Sequence, residues 1–310
     1  MRFARVRSGV TESIHDAAAI AIDADGGVLL SSGDVDFEFF YRSAIKPLQA
    51  AVARRTGLDL PPEHLAVTCA SHGGYPVHLA IVERILEDHG LDASALRTTK
   101  GLPLGSAARD VQRAAHRLEP SSLFHNCSGK HAGFLAACVV AGYDTDTYLL
   151  PDHPLQRSII EFVGDLAGVN PEPVGVDGCG APTLRGSVRA LATAFSRFGT
   201  EPEFRPIVDA VDRFMPLVAD NTRPDGVLGV NWTGASKAGA EGCIALTRNG
   251  LTVAAKSMAG NAEIAVAAAT EVIAQLDLLP SHTMDHIEHI RRPPVVGGGR
   301  IVGKLELVES

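Results

Sequence analysis

Two apolar–turn–apolar patterns stand at opposite ends of this chain. Near the start, the apolar run at 18–22 is followed by Asp25-Gly26-Gly27 and then Val28-Leu29-Leu30. That pattern predicts a β-hairpin, and the residues before it alternate apolar and polar, as a strand does. Near the end, Cys243-Ile244-Ala245-Leu246 and 251–256 flank Asn249-Gly250, the strongest hairpin signature in the chain. Asn-Gly supplies two residues that tolerate positive φ, which a tight turn of this kind requires. A last strand is expected over 300–308, after the breakers Pro293-Pro294 and Gly297-Gly298-Gly299.

Between these ends the periodicity is mostly helical. Helices are expected over 43–55, 77–89, 107–118, 130–141, 155–167, 183–198 and 206–218, with another over 262–279 separating the late hairpin from the last strand. This order predicts an α/β protein whose antiparallel sheet is built from both termini, about 1–40 and 240–310. A mostly helical region, about 41–239, is inserted between, the two parts forming one domain rather than two separate ones. No internal repeat, low-complexity tract or flexible linker interrupts it.

A chain of 310 residues can bury a substantial core. Its net charge of −8 and the absence of a basic stripe argue against nucleic-acid binding, which needs clustered Lys and Arg. No apolar run approaches the roughly 20 residues of a membrane span, and the first residues lack the apolar core of a secretory signal. Five cysteines without framework spacing favour a reducing compartment, so the cytoplasm is expected.

Four stretches carry groups capable of chemistry. In Arg42-Ser43-Ala44-Ile45-Lys46-Pro47, a serine and a lysine three apart on a helix's first turn face the same way. A buried lysine with a lowered pKa can take the serine proton, while the plainer reading is a serine cap followed by a solvated lysine. In Thr68-Cys69-Ala70-Ser71-His72-Gly73-Gly74, a strand-like lead at 65–67 ends in a glycine-rich turn. Such a turn could present Ser71 and neighbouring backbone N–H groups to a carbonyl oxygen, or serve only as a helix cap. In His125-Asn126-Cys127-Ser128-Gly129-Lys130-His131, Cys127 and Lys130 are three apart, and a further thiol lies in Asp177-Gly178-Cys179-Gly180-Ala181-Pro182. Two thiolates suit a borderline cation such as zinc, with His125 and His131 as further ligands by chemistry, yet no structural-zinc spacing is present. Lys256, among small apolar residues, is either an edge-strand charge or an inward functional amine.

These motifs, in this order and with Asp152-His153-Pro154-Leu155-Gln156 and Ala240-Glu241-Gly242, resemble the asparaginase II family of the Rhizobium type across nearly the whole chain. The resemblance implies a serine β-lactamase/glutaminase-like fold and hydrolysis of the L-asparagine side-chain amide to aspartate and ammonia. It implies two Ser–Lys pairs, Ser43–Lys46 and Ser71–Lys256, and a zinc ion held by Cys127, Lys130 and Cys179. His131 and Asp177 match residues lining that site, His72 belongs to the matching Cys-Ala-Ser-His motif, and Arg42 is placed to orient a substrate carboxylate. A homodimer is implied as well. The same chemistry on glutamine or another small amide, or a metal-stabilised binding protein without catalysis, are the alternatives. The chain departs from the family pattern at 217–226 and at Ser257-Met258-Ala259-Gly260, where an acidic residue before glycine is usual.

Overall fold

The computed structural model describes residues 1–116 and 118–309. Strands β1 (Arg2–Arg7), β2 (Val10–Ile22) and β3 (Val28–Ser32) come from the start of the chain. The short strands β4 (Glu38–Phe40), β5 (Gly175–Val176), β6 (Pro182–Thr183) and β7 (Arg185–Ser187) form two small ribbons, β4 with β7 and β5 with β6. Strands β8 (Ala235–Gly239), β9 (Cys243–Arg248), β10 (Leu251–Ser257), β11 (Pro294–Gly297) and β12 (Arg300–Glu309) come from the end. Early and late strands join in one antiparallel sheet of order β11-β12-β1-β2-β10-β9-β8, with β3 also on β2. Both termini therefore build the sheet, as the sequence pattern predicts. Leu251 pairs with Arg248 across Asn249 (φ 51°) and Gly250 (φ 86°), so the Asn-Gly turn has the two left-handed residues expected of it.

The helices are α1 (Lys46–Arg55), α2 (Pro62–Thr68), α3 (Pro76–Glu87), α4 (Ser106–Ala114), α5 (Ser128–Ala141), α6 (Pro154–Ala167), α7 (Val188–Thr200), α8 (Arg205–Arg213), α9 (Met215–Val218), α10 (Pro224–Trp232), α11 (Ala262–Gln275), α12 (Ser281–His286) and α13 (Glu288–Arg291). Helices α7 and α11 pack against the sheet. Alternation along the central strands divides their side chains between two cores. Ala18, Ile20, Ala245 and Ala254 join the helical core with Leu191 and Phe195, while Ala19, Ala21, Ile244 and Ala255 join the α11 core with Ile264 and Val272. Lys237 shares parity with Ala235, and Lys256 with Ala254, both of the helical core.

Several elements differ from expectation. The apolar lead at 65–67 is not a strand but the end of α2, entered through Pro62 in its first turn. The helix expected from 183 begins at Val188, because 182–187 pair as short strands, and that expected over 206–218 is broken between Arg213 and Met215. The helix expected over 107–118 ends at Ala114, and residue 117 lies outside the described residues. Helix α11 stops at Gln275 rather than at 279.

Two close approaches position the site. A Cβ at Gly129 would lie 2.3 Å from the Val67 carbonyl oxygen, and one at Gly133 would lie 2.8 Å from Thr68 Cγ2. These glycines are one turn apart on α5 and let it sit directly on α2, whose end leads to Ser71. A Cβ at Gly239 would lie 2.5 Å from the Tyr41 carbonyl oxygen and 3.0 Å from the Ala44 nitrogen, so the end of β8 abuts the 3₁₀ turn Arg42–Ile45.

Candidate active site

Ser71 sits just past α2 with its amide donated to the Val218 carbonyl at 3.0 Å. Its hydroxyl has two lysine neighbours: Lys237 Nζ at 3.0 Å and Lys46 Nζ at 3.2 Å. Lys46 also donates to the Ala70 carbonyl at 2.5 Å, and Lys237 to the Ala238 carbonyl at 2.6 Å. Both lysines are buried, each 1% exposed. Burial, reinforced by the neighbouring Lys46, pulls the Lys237 ammonium down to about 7. A lysine in that range holds a usable fraction of neutral amine near neutrality.

This arrangement corrects two expectations. The second lysine at Ser71 is Lys237, not Lys256. Lys256 Nζ donates to the carbonyls of Glu241, at 2.7 Å, and Ser257, and lies 5.5 Å from the Phe39 ring centroid. Lys46 meets Ser71 rather than Ser43, and no hydrogen bond joins the Ser43 and Lys46 side chains among the described residues. The reason is local: residues 42–45 form a 3₁₀ turn, and the α-helix starts only at Lys46 with Pro47 in its first turn. The backbone donors expected beside Ser71 are also occupied, since the His72 amide donates to the Asn126 carbonyl at 3.1 Å. Lys237 went unread because Ala235-Ser236-Lys237-Ala238-Gly239 lacks large apolar residues. Its signal was a lysine among small residues, just before Ala240-Glu241-Gly242.

His72 is fully buried, and burial is the main force pushing its pKa down to about 3, so the ring is neutral. Ser128 Oγ spends its hydrogen on the Leu123 carbonyl at 2.9 Å, so it accepts from His72 Nε2 at 2.9 Å. His72 Nδ1 is then an unprotonated acceptor, buried and without a protein partner among the described residues. His131 Nδ1 lies 2.8 Å from the Tyr148 hydroxyl, which accepts the Arg97 amide at 3.1 Å, while His131 Nε2 is buried and unpartnered among the described residues. Burial again holds this imidazole well below its ordinary value.

Arg42 and Ser43 are half-buried. Arg42 adopts φ 51° and donates from Nε to Asp177 Oδ1 at 2.7 Å. Left-handed backbone at a non-glycine residue is held only where the surroundings fix it. Asp177 Oδ1 also accepts the Gly178 amide at 2.7 Å. Arg223, in the stretch that departs from the family pattern, pairs with Asp225 at 2.6 Å and reaches the Ser71 carbonyl at 3.4 Å.

Cys127, at the N-cap of α5, and Cys179 are buried thiols, and Cys127 Sγ lies 3.1 Å from Asn126 Oδ1. The Cys179 hydrogen bond holds Cys127 well below the ordinary thiol value despite burial, while the same contact pushes Cys179 up. Lys130 Nζ lies 3.2 Å from Cys179 Sγ. Burial alone would lower the Lys130 pKa, but Cys179, Cys127 and Asp177 outweigh it and raise it. No group of three His, Cys, Asp or Glu placed to hold a metal occurs among the described residues. Two thiols beside a buried amine nonetheless form a nitrogen–sulfur donor set of the kind zinc takes, so these residues fit the ion.

The family described as L-asparaginase II matches residues 4–307. The chain belongs to that family. A comparison with curated proteins finds no match. Among solved structures, the chain is similar to Mglu in its native form, with 15% identity and a TM-score of 0.45 over 85% of this chain and 64% of that one. Mglu in its tris and glutamate form gives 14% identity and a TM-score of 0.46 over 89% and 62%. The family member therefore spans somewhat less than two thirds of the Mglu chains. A beta-lactamase from Mycobacterium bovis gives 17% identity and a TM-score of 0.39 over 84% of this chain and 94% of that one.

Proposed function

We propose that this family member hydrolyses the side-chain amide of L-asparagine to L-aspartate and ammonia by serine acyl transfer. The observation that carries the reading is the Ser71 hydroxyl held between Lys46 and Lys237, with Lys237 near 7. Lys237, neutral, accepts the Ser71 proton, while Lys46 donates to the Ser71 oxygen. The serine oxygen forms a bond to the amide carbon. The lysine proton passes to the amide nitrogen as the carbon–nitrogen bond breaks, and ammonia leaves. Water then cleaves the ester by the reverse proton path and frees Ser71.

A second reading keeps the same proton path but gives the attack to Ser43. What favours it is position: Ser43 is the more exposed serine, in the turn against which Gly239 brings β8. Ser71 then relays its proton to the lysines. Arg42 receives the substrate carboxylate in either case, exchanging part of its contact with Asp177.

The zinc ion belongs to the proposal through Cys127, Lys130 and Cys179. When bound it would supply a Lewis acid. Lys130 must give up its proton to ligate, and both cysteines must bind as thiolates. A homodimer and a cytoplasmic setting complete the reading, resting on the family resemblance and on cysteine usage. Sedimentation of the purified protein as a monomer would remove the dimer from it.

The decisive assay is ammonia release from asparagine, glutamine and a panel of small amides by folded, zinc-loaded protein. Asparagine turnover supports the reading, and preference for glutamine or another amide moves the substrate. No turnover of any amide would leave a binding protein of this fold.

A further inference from the structure

Lys256 is set free by the finding that Lys237 serves Ser71. It lies inside β10, paired with Ala18 of β2 and Cys243 of β9, and is 5% exposed. It enters no ion pair among the described residues. Its ammonium instead grips two backbone carbonyls, those of Glu241 and Ser257, beside the Phe39 ring. A buried cation held by carbonyls alone is an expensive way to fill space, where a methionine would pack at no electrostatic cost.

What it grips is unusual. Glu241 (φ 61°) and Gly242 (φ 64°) are consecutive left-handed residues in the turn joining β8 to β9. The Gly242 carbonyl accepts the Ser257 amide at 2.8 Å, so the turn is tied to β10 from both sides of Lys256. One residue before the turn is Gly239, against the Tyr41 carbonyl and the Ala44 nitrogen. One residue after it, Cys243 Sγ reaches the Tyr41 carbonyl at 3.4 Å. The turn is therefore wedged against the segment that carries Ser43, and the strand entering it carries Lys237.

We propose that Lys256 is a positioning residue, which through the Glu241 carbonyl seats the β8–β9 turn and thereby sets the contact between Lys237 and Ser71. The role rests on the Ser–Lys reading above and adds to it a fourth cation that never touches the substrate. Besides burial, Lys237 feels the charges of Lys46, Asp225, Arg223 and Cys127. Releasing the turn lets β8 move away from Lys46 and admits water, and both changes return Lys237 toward an ordinary lysine.

The test uses the full chain with its six lysines labelled at 13Cε, assigned with Lys237→Met. In Lys256→Met, kcat for amide hydrolysis is expected to fall about tenfold with KM within about twofold. The Lys237 titration midpoint is expected to rise by at least half a pH unit. A purely structural role would lower the melting temperature and leave kcat per folded molecule and the Lys237 midpoint at wild-type values, and that result overturns the proposal. Lys256→Gln keeps one donor to the Glu241 carbonyl and carries the same comparison if the methionine variant does not fold. If wild-type protein turns over no amide, the midpoint still reads the Lys256–Lys237 link. A shift without turnover sinks the amide reading alone.

Discussion

The Ser71 hydroxyl lies 3.0 Å from the Lys237 amine, although 166 residues separate the two in the chain. Strand β8 brings the lysine and the end of α2 brings the serine. Helix α5, packed on α2 through Gly129 and Gly133, carries Cys127 and Lys130 at its start. Removing either member of the pair should abolish most activity: Ser71→Ala and Lys237→Met are each expected to lose about 10²–10⁴-fold in kcat. Ammonia release measures this, and a Lys237→Met enzyme within about threefold of wild type would exclude Lys237 as the base.

Lys237 must be neutral to accept a proton, so kcat/KM should rise as pH passes upward through about 7. The same shift affects stability. An unfolded lysine titrates near 10.4, so between about 7 and 10 the unfolded chain holds the extra proton and the contribution of Lys237 to stability rises with pH. A pH–rate profile that stays level from about 6 to 8 in wild type would contradict the assignment.

Zinc retention should depend on all three proposed ligands. Cys127→Ser, Cys179→Ser and Lys130→Met should each retain far less metal than wild type after dialysis. Uptake of zinc by the metal-free protein near pH 7 should release protons, because Lys130, whose pKa is raised, must be deprotonated to ligate. Elemental analysis and a pH-stat read these two quantities, and equal zinc in all variants refutes the ligand set.

Gly129→Ala should cost about 1–3 kcal/mol, because its methyl meets the Val67 backbone carbonyl rather than a side chain that can turn aside. Urea denaturation measures the loss. Activity should fall as well, since Ser71 follows the end of α2 by three residues and a shift of α2 off α5 would displace it. A variant as stable and as active as wild type would mean that the two helices separate freely.

The sequence pattern reached far where local chemistry decides structure. Asn249-Gly250 names its own turn, and the alternation before and after it names its strands. It failed at α2, because the apolar run at 65–67 is too short to distinguish strand from helix by period. It failed at Ser43 and Lys46 because three-residue spacing predicts a meeting only on a regular helix, and residues 42–45 form a 3₁₀ turn. Cys127, Lys130 and Cys179 could be named together only through the family resemblance, and the structure brings Lys130 to Cys179. The partner of Ser71 was not legible. Both Lys237 and Lys256 point into the helical core, and only the three-dimensional path of the β8–β9 turn decides which reaches the serine.

The pairing of β1 with β12 and of β2 with β10 also dictates when the protein can fold. Strands β1, β2 and β3 are made early and pair with one another, yet β2 also pairs with Leu251–Ser257 and β1 with Arg300–Glu309. Contacts so distant in sequence close slowly, because the loop entropy is lost before the contact forms. The complete sheet therefore needs residues up to Glu309, the end of β12. A chain stopped before Cys243 should leave residues 17–22 open to proteases that the complete protein resists, and equal resistance would show that the early strands find shelter on their own.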